Sequence, residues 1–400
     1  MTIRSAICNE SGNLTRKGSE SSLKLHILLM KCGVMPKLNF LLLLCAFIAA
    51  CSRDPNSTTT SVTPSPPPAP KPDTTIIPTP DTASSTGVDV YVAGYEYNGS
   101  VSVAKYWKNG QAVALTDGTR SEYAHSIAVV DSDVYVAVSE WSFLNTPKYW
   151  KNGQAVALPY YGESAEAVSI AVSGGDVYAA GNEVTGTLHL PHALYWKNGQ
   201  AVGLGPGNGY ARSIAVIGSD VYVAGTEYDP FVSWSFSVAK YWKNGQDVAL
   251  TDSTRNAAAY SIAVVDSDVY VAGSESNGSV SVAKYWKNGK AVALTDGTNN
   301  ASALSIAVKD GDVYVAGYEY KQPGNYQTAT YWKNGQAVAL EDRKEVQANS
   351  IAVMGGDVYV AGFEHNGSAY VAKYWKNGKA VALTDGTKDA KAESIVVVQR

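Results

Sequence analysis

The chain has 400 residues, a formal net charge of −4 and only 17% charged residues. Residues 51–400 carry 26 Lys and Arg against 34 Asp and Glu, which argues against a nucleic-acid partner because phosphate binding needs a concentrated basic surface. The 36 glycines and 26 tyrosines suit short strands and tight turns better than helices.

The N-terminal region predicts an export signal. Residues 1–34 do not resemble a signal peptide, and we interpret them as an extension from a wrongly assigned upstream start codon. Residues 35–50 combine a short basic segment with an apolar stretch of 13 residues, too short to span a bilayer as a helix. The stretch leads into Ile-Ala-Ala-Cys ending at Cys51, which resembles the lipobox of bacterial lipoproteins.

That resemblance implies cleavage before Cys51, lipidation of this residue and attachment to a bacterial cell envelope, at the outer membrane or cell surface. An ordinary secretory signal cleaved near Ala50 is the alternative. The other three cysteines precede the cleavage site, so the mature chain would have neither a disulfide nor a cysteine metal site. Residues 51–87, rich in Pro, Thr and Ser, predict a disordered tether after the lipidated cysteine.

The remainder of the chain, residues 88–400, is organised by one repeated motif. Tyr-Trp-Lys-Asn-Gly occurs seven times at steps of 43 to 46 residues, starting at Tyr106, Tyr149, Tyr195, Tyr241, Tyr285, Tyr331 and Tyr374. Each unit reads DVYVAGxE, AKYWKNG, QAVAL and AxSIAV in outline, which predicts four short strands. Asn-Gly favours a type I′ turn between the Trp strand and QAVAL.

Seven four-stranded antiparallel units predict an all-β fold, a seven-bladed β-propeller. A solenoid or a string of separate modules is the alternative. We label the SIAV strand a and the following strands b, c and d. The array begins with a b strand at Asp89 and ends with an a strand at Ser394, so we expect the C-terminal strand to close the ring. Residues 98–119 and 277–298 differ only at Gln111 and Lys290, which indicates recent duplication.

The order of Trp, Asn-Gly, an apolar pair and a Ser-containing strand resembles the HAF-type bacterial extracellular repeats. This resemblance implies an exported propeller and supplies no catalytic residues. The match departs from that family before the Trp, where Ala-Lys-Tyr replaces an HAF-like tripeptide.

Comparison of the seven units indicates which face binds. The a–b and c–d turns are short and uniform, whereas the b–c and d–a loops vary in length and chemistry. Because variable loops on a rigid scaffold commonly carry binding sites, we expect the b–c/d–a face to be functional. Relaxed drift of the loops is the alternative.

One variable position lies between the invariant Ala and Ser of strand a. It is occupied by His125, Val168, Arg212, Tyr260, Leu304, Asn349 and Glu393. We predict that these residues ring the channel mouth, with His125, Arg212, Tyr260, Asn349 and Glu393 as candidate ligand-binding residues. Solvated strand ends are the alternative.

Aromatic residues in the b–c loops form a second candidate group: Trp141, Trp234 and Phe231, with Phe143 and Phe236 nearby. Such rings stack on sugars or anchor a protein partner, or else pack against neighbouring loops. A glutamate also ends strand b in every unit, at Glu96, Glu140, Glu183, Glu227, Glu275, Glu319 and Glu364. We interpret these seven glutamates as structural hydrogen-bond acceptors rather than as a cation site.

No catalytic motif stands out, and we predict neither a cofactor nor a metal. The sequence favours a lipid-anchored, monomeric binding module for a glycan or protein. The alternatives are a propeller enzyme acting on polysaccharide or peptide at the channel mouth, and a structural surface or adhesion protein.

Overall fold

The Asn-Gly turn organises each repeat. In the first repeat, Asn109 has a φ of 51° and Gly110 a φ of 81°, the positive values of a type I′ turn. Asn109 Oδ1 accepts the Val90 N–H, and its Nδ2 donates to Asp89 Oδ1, both at 2.9 Å. Equivalent bonds occur in all seven repeats. The asparagine therefore fastens the c–d hairpin to strand b.

The computed structural model describes residues 87–141, 145–186, 189–228, 237–322, 326–341 and 345–400, all within the unit Thr74–Arg400. The predicted extension 1–34, the signal peptide 35–50 and all but the last residue of the tether lie outside the described residues. No helix long and apolar enough to cross a membrane occurs in these ranges.

The described strands form seven four-stranded antiparallel blades, each hydrogen-bonded in the order a-b-c-d. Blade 1 consists of β28 (Ala390–Gln399), β1 (Val88–Tyr97), β2 (Ser102–Lys108) and β3 (Gln111–Ala114). Blade 2 consists of β4 (Ser121–Val130), β5 (Asp133–Trp141), β6 (Thr146–Lys151) and β7 (Gln154–Ala157). Blade 3 consists of β8 (Ser164–Ser173), β9 (Asp176–Thr185), β10 (Leu190–Lys197) and β11 (Gln200–Gly203).

The remaining four blades follow the same order. Blade 4 consists of β12 (Asn208–Ile217), β13 (Asp220–Tyr228), β14 (Ser237–Lys243) and β15 (Gln246–Ala249). Blade 5 consists of β16 (Ala257–Val265), β17 (Asp268–Ser276), β18 (Ser281–Lys287) and β19 (Lys290–Ala293). Blade 6 consists of β20 (Ala301–Lys309), β21 (Asp312–Lys321), β22 (Tyr326–Lys333) and β23 (Gln336–Ala339). Blade 7 consists of β24 (Val346–Met354), β25 (Asp357–His365), β26 (Tyr370–Lys376) and β27 (Lys379–Ala382).

Closure of the ring is confirmed. The C-terminal strand β28 pairs with β1, with Val90 opposite Val397 and Val92 opposite Ile395. The two ends of the repeat array thereby complete one blade without a covalent link, which removes the exposed edges of an open stack. The predicted seven-bladed β-propeller is the fold of the described residues.

The apolar core lies between neighbouring blades. Trp242 of blade 4 is 2% exposed and packs against Tyr178 and Ala180 of blade 3. The strand-b glycine beneath it is required, because a Cβ on Gly225 would lie 2.9 Å from Trp242 Cζ3 and 2.0 Å from the Tyr210 carbonyl oxygen. The repeated tryptophan is therefore a framework residue that joins blades.

Blade 2 departs from this packing. Val138 replaces the glycine of the other six repeats. It belongs to the same apolar cluster as Trp150, which is half-buried, whereas the other six motif tryptophans are buried.

The invariant serine of strand a carries a ring of hydrogen bonds. Each serine Oγ accepts the backbone N–H of the isoleucine in the next blade, at 3.1 to 3.3 Å. The series runs through all seven blades and closes where Ile127 N–H donates to Ser394 Oγ. This contact explains why serine is retained in every repeat.

Candidate binding site

The antiparallel blades place all b–c and d–a loops on one side, which we call the loop face, and the a–b and c–d turns on the other, the turn face. Three blades share one loop design, in which the Asn of an Asn-Gly-Ser sequence bonds across to the d–a loop. Asn98, Asn277 and Asn366 donate to the carbonyls of Gly118, Gly297 and Gly386 at 3.1, 2.9 and 2.9 Å. The variation in b–c loops is therefore concentrated in blades 2, 3, 4 and 6.

The variable residue of strand a is a β-bulge in every blade. The pairing register shifts between the flanking Ala and Ser, for example between Ala124 and Ser126 around His125. The same shift occurs around the other six residues of this series. A bulge inserts one residue and re-aims its side chain. The sequence located the variable position but gave no sign of the bulge.

Two adjacent bulge residues are in direct contact. Asn349 Nδ2 donates to Glu393 Oε2 at 2.9 Å, across the boundary between blades 7 and 1. Gln327 Nε2 donates to Gln347 Oε1 at 2.8 Å, and Gln347 Nε2 donates to Asn349 Oδ1 at 2.7 Å. These four side chains form one hydrogen-bonded chain, which we call the amide chain.

The Glu393 carboxyl group at the end of the amide chain is perturbed. Burial raises its pKa to about 7, and the nearby Lys391 ammonium acts in the opposite direction. The Tyr95 hydroxyl beside it has a pKa well above its usual range, first because of burial and then because of the Glu393 charge. Glu393 is still partly accessible to solvent, so protonation from the channel is feasible.

Three titratable residues, His125, Glu166 and Arg212, lie on a second arc of the ring, in blades 2 to 4. Burial lowers the pKa of His125, the Arg212 charge acts in the same direction, and the Glu166 charge opposes both. Glu166 Oε1 is oriented by a 3.0 Å bond from Asn182 Nδ2. Arg212 is exposed and its guanidinium lies 5.1 Å from the Tyr210 ring centroid. The ring therefore presents different chemistry on its two sides.

The aromatic candidates divide. Trp141 is 66% exposed, and its ring lies 5.6 Å from that of Tyr123, which meets Tyr95 edge-to-face at 4.7 Å. Trp141 therefore packs at one edge and leaves most of its surface free on the loop face. Phe231 and Trp234 lie outside the described residues, as do Cys51, Phe143 and Phe236.

The seven strand-b glutamates are engaged with protein groups. In five blades the partner is a strand-c lysine, as in the pairs Glu227–Lys240 and Glu275–Lys284, both at 2.6 Å. The other three lysines are Lys105, Lys148 and Lys373. Blades 3 and 6 lack that lysine, and there Glu183 accepts the Tyr161 N–H and Glu319 pairs with Lys321. These contacts agree with the structural interpretation of the glutamates.

A cleft of about 390 Å³ opens between blades 5 and 6; we call it the tyrosine cleft. Its lining consists of Tyr260, Ser274, Ser281, Asn300, Ala301, Ser302, Tyr318 and Tyr320. The Tyr318 and Tyr320 rings pack edge-to-face, with their centroids 5.8 Å apart. Burial raises the pKa of Tyr260, and a hydrogen bond with Ser274 acts in the opposite direction. The sequence indicates Tyr260 as a candidate but carries no signal of the cleft around it.

Comparison with known proteins gives little information about this chain. The fold and loop face define a seven-bladed β-propeller with a chemically asymmetric channel mouth. No protein-family model matches the chain, and no curated protein sequence matches it. Among solved structures it is similar to the acylaminoacyl peptidase of Pyrococcus horikoshii in its orthorhombic crystal form, at 13% identity and a TM-score of 0.38. The similarity covers 66% of this chain and 46% of the peptidase chain, so this chain spans less than half of the peptidase.

Proposed function

We propose that this protein is a binding module of the bacterial cell envelope that recognises a glycan or a protein through its loop face. The carrying observation is the ring of bulges. Seven equivalent positions hold seven different side chains, while the flanking Ala and Ser maintain packing and inter-blade hydrogen bonds. Framework demands are thereby met by the invariant residues, which leaves the bulge side chains free to follow a ligand.

An asymmetric ring suits an asymmetric ligand. Glu166 and Arg212 place charge on one arc, beside the His125 imidazole, whereas the amide groups of the amide chain and the tyrosine cleft offer neutral hydrogen-bonding groups elsewhere. A ligand that crosses the mouth would meet several subsites in a fixed order. Few convergent polar groups on a preformed concave surface are typical of ligand sites.

The export address also belongs to the proposal. The lipobox-like segment ending at Cys51 supports a lipoprotein held at the membrane by its lipid, with residues 52–87 as the tether. The HAF-type resemblance supports the same extracellular setting.

Binding of the full-length chain to a glycan array and to candidate surface proteins would test the loop face. The variants Arg212→Ala and Trp141→Ala remove exposed loop-face groups, and we expect each to weaken binding about tenfold. The matched control is Lys290→Gln on the turn face, because blade 1 already carries Gln111 at that position. Equal effects of loop-face and turn-face variants would refute the proposal.

A second candidate is an enzyme acting on polysaccharide or peptide at the channel mouth. It is favoured by one observation, a histidine with a lowered pKa beside a carboxylate, His125 near Glu166. Such a neutral imidazole is suited to accept a proton. Incubation with polysaccharides and peptides, followed by product analysis of wild type and His125→Ala, distinguishes turnover from binding.

A further inference from the structure

Three serines line the tyrosine cleft at positions where larger residues stand elsewhere in the ring. The corresponding space between blades 7 and 1 offers a comparison within the chain, since Asp312–Tyr320 and Asp89–Tyr97 have identical sequences. The tyrosine wall is therefore common to both places. The difference lies in the opposing residues. Three small residues of the cleft correspond to larger ones, Ser274 to Phe363, Ser281 to Tyr370 and Ser302 to Lys391, while Tyr260 corresponds to the smaller Asn349 and Asn300 to Asp389.

Those larger residues pack together between blades 7 and 1. The Phe363 and Tyr370 rings meet edge-to-face at 5.2 Å. Lys391 Nζ lies 4.3 Å from the Phe363 centroid and 4.6 Å from the Tyr370 centroid. The same backbone positions thus accept a tightly packed aromatic plug. Stability of the scaffold does not demand an open cleft between blades 5 and 6.

The lining of the open cleft indicates the ligand chemistry. None of its eight lining residues is charged, so an ionic ligand would find no counter-charge there. The accessible lining is mainly polar, because tyrosine and serine hydroxyls with the Asn300 amide offer neutral donors and acceptors, and the tyrosine rings add a smaller apolar surface. A pyranose ring has this combination of a C–H face and peripheral hydroxyls, and aromatic rings pack on the less polar face.

The size of the cleft agrees with a small ligand unit. Its volume of about 390 Å³ lies near the lower end of the roughly 300–1,000 Å³ range of small-molecule sites. We infer that the tyrosine cleft is a subsite for one neutral sugar residue of a glycan that lies on the loop face. This inference rests on the proposed binding function and narrows its ligand class to a glycan.

The decisive variant transplants the plug. Ser274→Phe, Ser281→Tyr and Ser302→Lys, combined in the full-length chain, install residues that already pack together in blades 7 and 1. The probes are immobilised neutral oligosaccharides of glucose, galactose, mannose and N-acetylglucosamine, with sialylated and uronic-acid oligosaccharides as charged comparators. Wild type should bind a neutral probe, and the plugged variant should bind it at least tenfold more weakly with an unchanged urea midpoint.

A matched pair of single variants covers the case in which the plugged variant folds poorly. Tyr320→Ala removes a wall of the cleft, whereas Tyr97→Ala changes the equivalent residue in blade 1. Only Tyr320→Ala should reduce binding of the neutral probe, by about tenfold. Titration of free oligosaccharide, followed by intrinsic fluorescence, gives both affinities.

The outcomes separate the two proposals. Absence of wild-type binding to every neutral probe overturns the sugar subsite, as does binding confined to charged probes or to a protein. Equal affinities of wild type and the plugged variant also overturn it. The wider proposal of a loop-face binding module fails if Arg212→Ala and Trp141→Ala weaken the binding of no detected ligand more than Lys290→Gln does.

Discussion

Replacing Glu393 with glutamine should stabilise the propeller at and above neutral pH and have little effect in acid. The carboxyl group has a pKa of about 7 in the folded chain against an ordinary value of 4.5, because burial disfavours its charge. The folded state therefore binds the proton more tightly than the unfolded state. Its favourable contribution is complete below pH 4.5 and is lost as the pH rises through about 7.

The magnitude follows from that difference. A pKa difference of this size corresponds to about 3 kcal/mol at most, and partial contact with channel water reduces it to about 2 kcal/mol. Glutamine keeps the acceptor for the Asn349 Nδ2 donor and removes the charge. Glu393→Gln should thus gain about 2 kcal/mol in unfolding free energy at pH 8 and almost nothing at pH 4.

Urea unfolding followed by tryptophan fluorescence at pH 4, 6 and 8 measures the effect. Asp131→Asn, which removes a carboxylate from an exposed turn with a φ of 54°, controls for the change in net charge. A Glu393→Gln effect that is independent of pH, or that grows toward acid, would show that burial does not govern this group.

Three further predictions concern framework residues and the lipid anchor. Gly225→Ala should lower the unfolding free energy by about 3 kcal/mol, because the added Cβ would clash with backbone. The control Gly203→Ala places its Cβ where nothing lies within 4 Å and should change the unfolding free energy by less than about 0.5 kcal/mol. Equal urea midpoints of the two variants would contradict the close approach at Gly225. Trp242→Ala should lower the unfolding free energy by about 3–5 kcal/mol and leave the order of ligand preference on a glycan array unchanged. An altered preference at unchanged stability would argue that the tryptophan binds ligand. Cys51→Ala should abolish incorporation of a fatty-acid label in bacteria expressing the full chain, and retained label would disprove the lipid anchor.

The fold was accessible from the sequence because its signals are local and repeated. The Asn-Gly turn at Asn109 determines a hairpin by backbone conformation alone, and six further copies set the blade length. Closure followed from counting strand types, since the final strand at Ser394 lacked a b strand after it. These features depend on neighbours in sequence, and the repeat displays each of them seven times.

The site was less accessible because its features depend on neighbours in space. Variation at His125 and its counterparts identified a candidate position on strand a, but a one-residue bulge leaves no local signature. The tyrosine cleft is lined by the small residues Ser274, Ser281 and Ser302. Serine is common in turns and loops, so these residues did not stand out in the sequence. Only the comparison with the plugged space between blades 7 and 1 shows what these serines leave open.

The ring of serine-to-isoleucine bonds also bears on how such a gene can change length. The near-identical segments 98–119 and 277–298 begin 179 residues apart, and a crossover between their coding sequences would excise four complete units. The three remaining blades would retain every local rule of the repeat. They would nevertheless leave a terminal serine without its isoleucine partner and unburied tryptophans at the open boundary. Three blades are fewer than the roughly four to eight of closed propellers, so the product of this crossover would lose its closing contact and would not fold as a ring.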